Sequence, residues 1–102
     1  MTWGVTVDVA APVDLYDALH AALLERTGAA VDGLLVHLAR DTGGGFQVIE
    51  VWESQAVYER YVDDVLAPVL SELSGGRASR EDQTERSFDV RGLVVPGAGI
   101  AV

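Results

Sequence analysis

Residues 45–58 read GFQVIEVWESQAVY and join a strand to a helix. The apolar, β-branched-rich run from Phe46 to Glu53 is typical of a buried strand, and Ser54 suits the N-cap of a following helix. One aromatic residue, Trp52, therefore ends a strand, and another, Tyr58, lies on the helix. Since each combines a large apolar face with one hydrogen-bonding tip, the two can build a pocket or belong to the core.

Hydrophobic periodicity on either side of this junction predicts the remaining elements. We expect a strand at 3–9, a helix at 13–27, and two strands at 33–40 and 46–53 that are joined by a hairpin loop at 41–45. A second helix begins at Ser54, is kinked or broken at Pro68 and ends near Leu73. The last strand is expected at 88–95. The polar stretch 74–83 is expected to be mobile. The order β-α-β-β-α-β predicts a ferredoxin-like α+β fold, with a four-stranded antiparallel sheet and both helices on one face.

The free face of this sheet needs a cover. The second and third strands are apolar on both faces, with Leu34, Val36 and Leu38 opposed to Leu35 and Ala39 on the second. An antiparallel sheet with one wet face would alternate instead. With 102 residues, 49% of them hydrophobic, we expect a single domain over 1–102 that forms a homodimer, with the apolar tail residues Ile100 and Val102 docked on a partner surface.

Charge and composition exclude several classes of function. A net charge of −9 argues against nucleic acid and anionic membranes as partners, and the absence of cysteine fits a cytoplasmic protein. Because the N-terminal residues lack a positive stretch followed by a long apolar run, we expect neither a signal peptide nor a membrane span there. We expect no metal and no cofactor, because the chain lacks a dinucleotide fingerprint, a phosphate loop and a spaced ligand set. The composition resembles that of actinobacterial proteins.

Two polar residues stand out within the apolar strands. Glu50 lies two residues before Trp52 and so shares its strand face, where an unpaired charge would be costly. It either pairs with Arg40, His37 or a partner-subunit group, or lines a pocket as a neutral acid. His37 can serve as a base or be an ordinary core histidine, and its face depends on the hairpin register. Weaker candidates are His20, Thr6, Asp8 and Tyr16.

With this element order and the VWES junction, the chain resembles the antibiotic biosynthesis monooxygenase-like group of dimeric α/β barrels over nearly its whole length. In members that oxidise polycyclic phenols without a cofactor, the resemblance implies substrate contacts from a strand Trp, a helix Tyr six residues later and an Asn four residues before the Trp. Trp52 and Tyr58 match this pattern, whereas Val48 stands at the Asn position and donates no side-chain hydrogen bond. Haem-degrading relatives need a histidine in the second helix, which this chain lacks.

The sequence therefore predicts a small dimeric protein with an apolar pocket for an aromatic or polyketide-like molecule. The leading hypothesis is a cofactor-independent monooxygenase, with His37 or Glu50 as the catalytic base and Trp52, Tyr58 and Val48 in contact with the substrate. The alternatives are a polyketide cyclase or isomerase that uses the same acid and base, and a non-catalytic binding or accessory dimer.

Overall fold

A computed structural model describes residues 2–28, 30–74 and 83–102, apart from the side chain of residue 74. The main elements are β1 (Trp3–Val9), α1 (Val13–Thr27), β2 (Leu34–Asp41), β3 (Phe46–Trp52), α2 (Gln55–Tyr61), α3 (Ala67–Ser74) and β4 (Gln83–Asp89). The sheet order is β2-β3-β1-β4, and every neighbouring pair is antiparallel. The predicted ferredoxin-like α+β fold is confirmed.

The core lies where the helices cover one face of the sheet. On that face Trp3 of β1 is paired with Trp52 of β3, and Val5 with Glu50. Trp52 and Val5 are completely buried, and Tyr58 of α2 closes the cluster. The core is therefore concentrated at the end of the sheet where β3 turns into α2.

One irregularity in β2 changes which residues face the helices. Leu34 is paired with Trp52 and Val36 with Val51, so Leu35 is an extra residue in the strand. A β-bulge of this kind reverses the alternation on one side of it. Leu34 consequently packs against the core, and the prediction that it shares a face with Val36 is wrong.

The second helical region continues past Pro68. The Ser54 hydroxyl accepts a hydrogen bond from the Val57 N–H at 3.3 Å, which confirms the predicted N-cap. A π-helical turn at Val62–Leu66 separates α2 from α3, and the Ala67 N–H bonds to the Val62 carbonyl. Because proline has no N–H to donate, the wide turn accommodates it without ending the helix. The expected kink or break is thus a π-turn.

The C-terminal region differs most from the sequence prediction. Strand β4 begins at Gln83, within the stretch expected to be mobile, and ends at Asp89; the rest of that stretch, residues 75–82, lies outside the described residues. The predicted strand at 88–95 is wrong because the true edge strand, QTERSFD, is polar and exposed and carries no apolar alternation. Residues 94–95 instead form β5 (Val94–Val95), which pairs with β6 (Ile100–Ala101).

The face of the sheet away from the helices carries an apolar patch, to which β2, β3 and β4 contribute. Its members are Val36, Leu38, Ile49, Val51 and Phe88. Leu38 is 46% exposed and Phe88 is 42% exposed in the single chain. We call these five residues the open-face patch. Within the described ranges, no helix is both long and apolar enough to cross a membrane.

Candidate functional site

A cavity of about 130 Å³ lies between the sheet and the helices. Its apolar wall includes Val7, Val9, Leu19, Leu23, Phe46 and Val48, and its polar groups include Tyr16, His20, His37, Glu50, Tyr58 and Tyr61. All four strands of the sheet and the helices α1, α2 and α3 contribute to this lining. The arrangement is typical of a small-molecule site, in which few polar groups converge on an apolar pocket.

Glu50 and His37 form a close pair on the cavity wall. The hairpin register places them directly opposite each other, and the carboxylate Oε2 lies 2.6 Å from the His37 Nδ1. The other oxygen, Oε1, accepts a hydrogen bond from the Trp52 indole N–H at 3.3 Å. Both carboxylate oxygens of this residue, whose side chain is 12% exposed, therefore lie within hydrogen-bonding distance of a ring nitrogen, and of the partners that the sequence left open the structure gives His37.

Two side chains of α1 extend this pair into a line of polar groups. The Tyr16 hydroxyl lies 2.8 Å from the His37 Nε2 and 3.3 Å from the His20 Nδ1. Residues four apart on a helix share a face, so one helix delivers both rings to the cavity. The three rings are nearly parallel, with interplanar angles of 9° to 17°.

The hydrogen-bond pattern assigns the protons along this line. Because the Glu50 carboxylate can only accept, the neutral His37 carries its proton on Nδ1 and offers a lone pair on Nε2. The Tyr16 hydroxyl then donates to that nitrogen, and its oxygen accepts from the His20 Nδ1–H. When His37 carries a second proton, its Nδ1–H still donates to Glu50, but the other two bonds reverse: the Nε2–H donates to the Tyr16 oxygen, and the Tyr16 hydroxyl donates to the His20 Nδ1. A proton can therefore move along this line from His20 on α1, through Tyr16, to His37.

The environment keeps both neighbouring phenols protonated. Burial, and then the negative charges of Glu50 and Asp17, raise the pKa of Tyr16 above its ordinary value. Burial, followed by the charge of Glu50, raises the pKa of Tyr61 to about 12. At neutral pH each hydroxyl is thus a hydrogen-bond donor.

The three residues expected to contact substrate occupy different positions. Tyr58 and Val48 line the cavity. Trp52 is completely buried beneath it, in ring contact with Tyr58 at 5.6 Å and Tyr61 at 5.2 Å. Its indole N–H donates to the Glu50 carboxylate. The structure thus brings His37, Glu50, Tyr58 and Val48 to one cavity, whereas Trp52 lies just outside its lining.

The sequence analysis ranked Tyr16 and His20 as weaker candidates and did not identify Tyr61 as a site residue. The available signal was the four-residue spacing of two polar rings on the apolar face of α1. This spacing indicates a site only once the register of the β2–β3 hairpin is known, because that register places His37 on the face of the sheet that meets Tyr16. In the part of the chain that the structure describes, no three His, Cys, Asp or Glu side chains cluster as metal ligands would.

Solved structures share this fold at low sequence identity. SnoaB, a cofactor-independent oxygenase from Streptomyces nogalater, is 17% identical, with 93% of this chain and 96% of that chain covered and a TM-score of 0.57. A protein provisionally described as an antibiotic biosynthesis monooxygenase from Deinococcus radiodurans is 15% identical, with 93% and 97% covered and a TM-score of 0.60. A dimeric ferredoxin-like protein of unknown function from Thermobifida fusca is 15% identical, with 88% and 92% covered and a TM-score of 0.61.

These neighbours include the class of protein that the sequence resemblance named, and at such identities they establish the fold. No family model matches the chain, and no curated protein matches it.

Proposed function

We propose that this protein is an antibiotic biosynthesis monooxygenase-like homodimer that binds a small phenol in the cavity and oxidises it with dioxygen, without a cofactor. The observation that carries the proposal is the Glu50–His37 pair, hydrogen-bonded at 2.6 Å on the wall of an apolar cavity. A carboxylate holding an imidazole in one tautomer is a standard arrangement for a general base.

The cavity volume narrows the substrate class. Ligand sites for drug-sized molecules usually measure roughly 300–1,000 Å³, whereas this cavity measures about 130 Å³. An apolar cavity of about 150 Å³ holds one benzene ring. The volume therefore favours a phenol with a single ring over the polycyclic phenols of the oxygenases that the sequence resembles.

The chemistry requires only a base and a donor for the resulting anion. Loss of the phenolic proton gives an electron-rich phenolate, which reduces dioxygen; one oxygen atom enters the ring to give a quinone, and the other leaves as water. Val48 cannot stabilise the phenolate. Tyr61 is our candidate for that donor, because it lines the same cavity and its pKa of about 12 keeps it protonated at neutral pH.

The open-face patch supports the homodimer. It presents Leu38 and Phe88 to solvent in the single chain, and a second copy that packed its own sheet there would cover both. The similar protein from Thermobifida fusca is dimeric. An obligate dimer of this kind is expected to bury more than roughly 2,000 Å² in total.

A second candidate function is cyclisation or isomerisation of a small carbonyl compound. It is favoured by the continuous line Glu50–His37–Tyr16–His20, because a line of this kind can both take and return a proton. Such a reaction needs no oxidant, so the two candidates differ in whether dioxygen is consumed.

The test combines binding with oxygen consumption. Single-ring and polycyclic phenols are titrated against intrinsic Trp fluorescence, and oxygen uptake is recorded with the wild type, Glu50→Gln and a control, Glu59→Gln, which alters an exposed carboxylate on α2 bonded to Gln55. We expect saturable binding of single-ring phenols and oxygen uptake that only Glu50→Gln abolishes. Product formed without oxygen uptake would support the isomerase. Binding with no turnover of any kind would leave an accessory dimer, and no binding would refute the proposal.

A further inference from the structure

Both ring nitrogens of His37 are already occupied. Nδ1 lies 2.6 Å from the Glu50 carboxylate, and Nε2 lies 2.8 Å from the Tyr16 hydroxyl. A phenol entering the cavity therefore finds no free acceptor on the imidazole. It would have to displace Tyr16 to reach His37, although the Tyr16 ring is held by further ring contacts with His20 at 5.4 Å and Phe46 at 5.6 Å.

We propose that Tyr16 is the catalytic residue that touches the substrate, and that His37 acts through it. The inference rests on the proposed function and adds to it the group that receives the substrate proton. The Tyr16 oxygen can accept two hydrogen bonds while its own hydroxyl donates to His37. One of those positions is matched by the His20 Nδ1 at 3.3 Å, which leaves the other for the substrate hydroxyl.

The proton transfer balances within these groups. The substrate O–H bond breaks as a new O–H bond forms on the Tyr16 oxygen. The original Tyr16 O–H bond breaks as an N–H bond forms on the His37 Nε2. The products are a substrate phenolate, a neutral Tyr16 and an imidazolium that is paired with the Glu50 carboxylate.

His20 is a positioning residue in this scheme. Its ring is stacked with those of Tyr16 and His37, at centroid distances of 5.4 and 5.7 Å. By donating to the Tyr16 oxygen it directs the tyrosine hydroxyl toward His37. The raised pKa of Tyr16 agrees with a resting state in which the hydroxyl carries its proton.

The experiment uses 4-nitrophenol, whose phenolate is yellow, with Tyr16→Phe as the test variant. The substitution removes only the hydroxyl and keeps the ring in place. Thr27→Val is the control, because it removes a hydroxyl from the same helix, one that donates to the Leu23 carbonyl at 2.9 Å, and because Thr27 does not line the cavity. Binding is followed by Trp fluorescence, and ionisation by absorbance at a pH where the free probe is protonated.

We expect the wild type and Thr27→Val to bind 4-nitrophenol and turn it yellow. Tyr16→Phe and His37→Gln are both expected to bind the probe with an affinity within about threefold of that of the wild type. Both variants should leave the bound probe colourless. Turnover of any phenol that the wild type oxidises should fall about 10²–10⁴-fold in Tyr16→Phe, the usual contribution of a general acid or base. Tyr16→Met gives the same comparison should the phenylalanine variant unfold.

The outcomes separate the two proposals. A yellow probe bound to Tyr16→Phe would show that His37 takes the proton directly, which overturns the role of Tyr16 and leaves the proposed function standing. A colourless probe bound to the wild type would overturn the relay. Failure of the wild type to bind any phenol would refute the proposed function, and the relay with it.

Discussion

Removal of the Glu50 carboxylate is expected to destabilise the protein in a way that depends on the replacement. In Glu50→Ala, the Trp52 indole N–H and the His37 Nδ1 both lose their partner. A buried donor left unsatisfied costs about 1–3 kcal/mol, which applies in full to the completely buried Trp52. The His37 side chain is 26% exposed and adds less because water can reach it, so the expected loss in the free energy of unfolding is about 2–4 kcal/mol. A tautomer change in His37 gives no relief, because it only replaces an orphaned donor with an orphaned acceptor.

Glu50→Gln is expected to separate stability from activity. The amide oxygen can accept from Trp52, while the amide N–H donates to His37 once that ring has moved its own proton to Nε2. The Trp52 and His37 rings then both keep a partner, and the main cost is the loss of charge assistance, about 1–2 kcal/mol. However, Nε2 now carries a proton and can accept none, so turnover should fall about 10²–10⁴-fold.

Urea unfolding at one fixed protein concentration measures both variants, since dimerisation contributes to the observed stability. Glu59→Ala serves as the control, because an exposed surface substitution usually changes stability by about 0.5 kcal/mol or less. The reasoning is refuted if Glu50→Ala is as stable as Glu59→Ala, or if Glu50→Gln destabilises as much as Glu50→Ala.

Three further expectations follow from particular sites. A Cβ at Gly45 would lie 2.0 Å from the Val9 carbonyl oxygen, so Gly45→Ala should lower the free energy of unfolding by about 1–3 kcal/mol. Gly44→Ala is the control, because a Cβ there meets open space and should change the stability little. Equal urea midpoints for the two variants would contradict this. A charge placed twice in a twofold interface by Leu38→Glu should shift sedimentation from dimer to monomer, and an unchanged dimer would place the interface elsewhere. The folded-state pKa of Tyr61, about 12, exceeds its unfolded value of 10.0, so its contribution to stability is full below pH 10 and is lost as the pH rises toward 12. Tyr61→Phe should therefore lose less stability than the wild type over this pH range. Identical curves of stability against pH for the two proteins would contradict the assignment.

The fold could be predicted from sequence because its signals are local. Alternation in β1, the 3.6-residue period of α1 and the Ser54 cap each depend on neighbouring residues only. Strand β4 could not be predicted, because it is an exposed edge strand whose order comes from backbone pairing with β1 rather than from burial of its own side chains. Backbone pairing leaves no periodic trace in the sequence.

The candidate site could be predicted only in part, for a related reason. Glu50 was identifiable because a carboxylate in an apolar strand requires a partner. Its actual partner, His37, depended on a register that the strand sequences leave open. Identifying Tyr16 as a partner of His37 also requires the position of α1 over the sheet, which the sequence leaves open. Each step away from Glu50 requires tertiary information, and the most distant group, His20, has the weakest signal in the sequence.

The pairing of His37 with Glu50 depends on a hairpin loop that fixes the strand register. Asp41 is paired with Phe46 across residues 42–45, and this closure sets every pairing further along the hairpin, including that of His37 with Glu50. The Asp41 carboxylate accepts a hydrogen bond from the Gly43 N–H at 2.8 Å, and Gly43 adopts a positive φ of 86°. A slip of one residue would send His37 to the open face. The glycine-rich turn therefore acts through register, and the bulge at Leu35 lies beyond the pair, where it adjusts the core without moving the site.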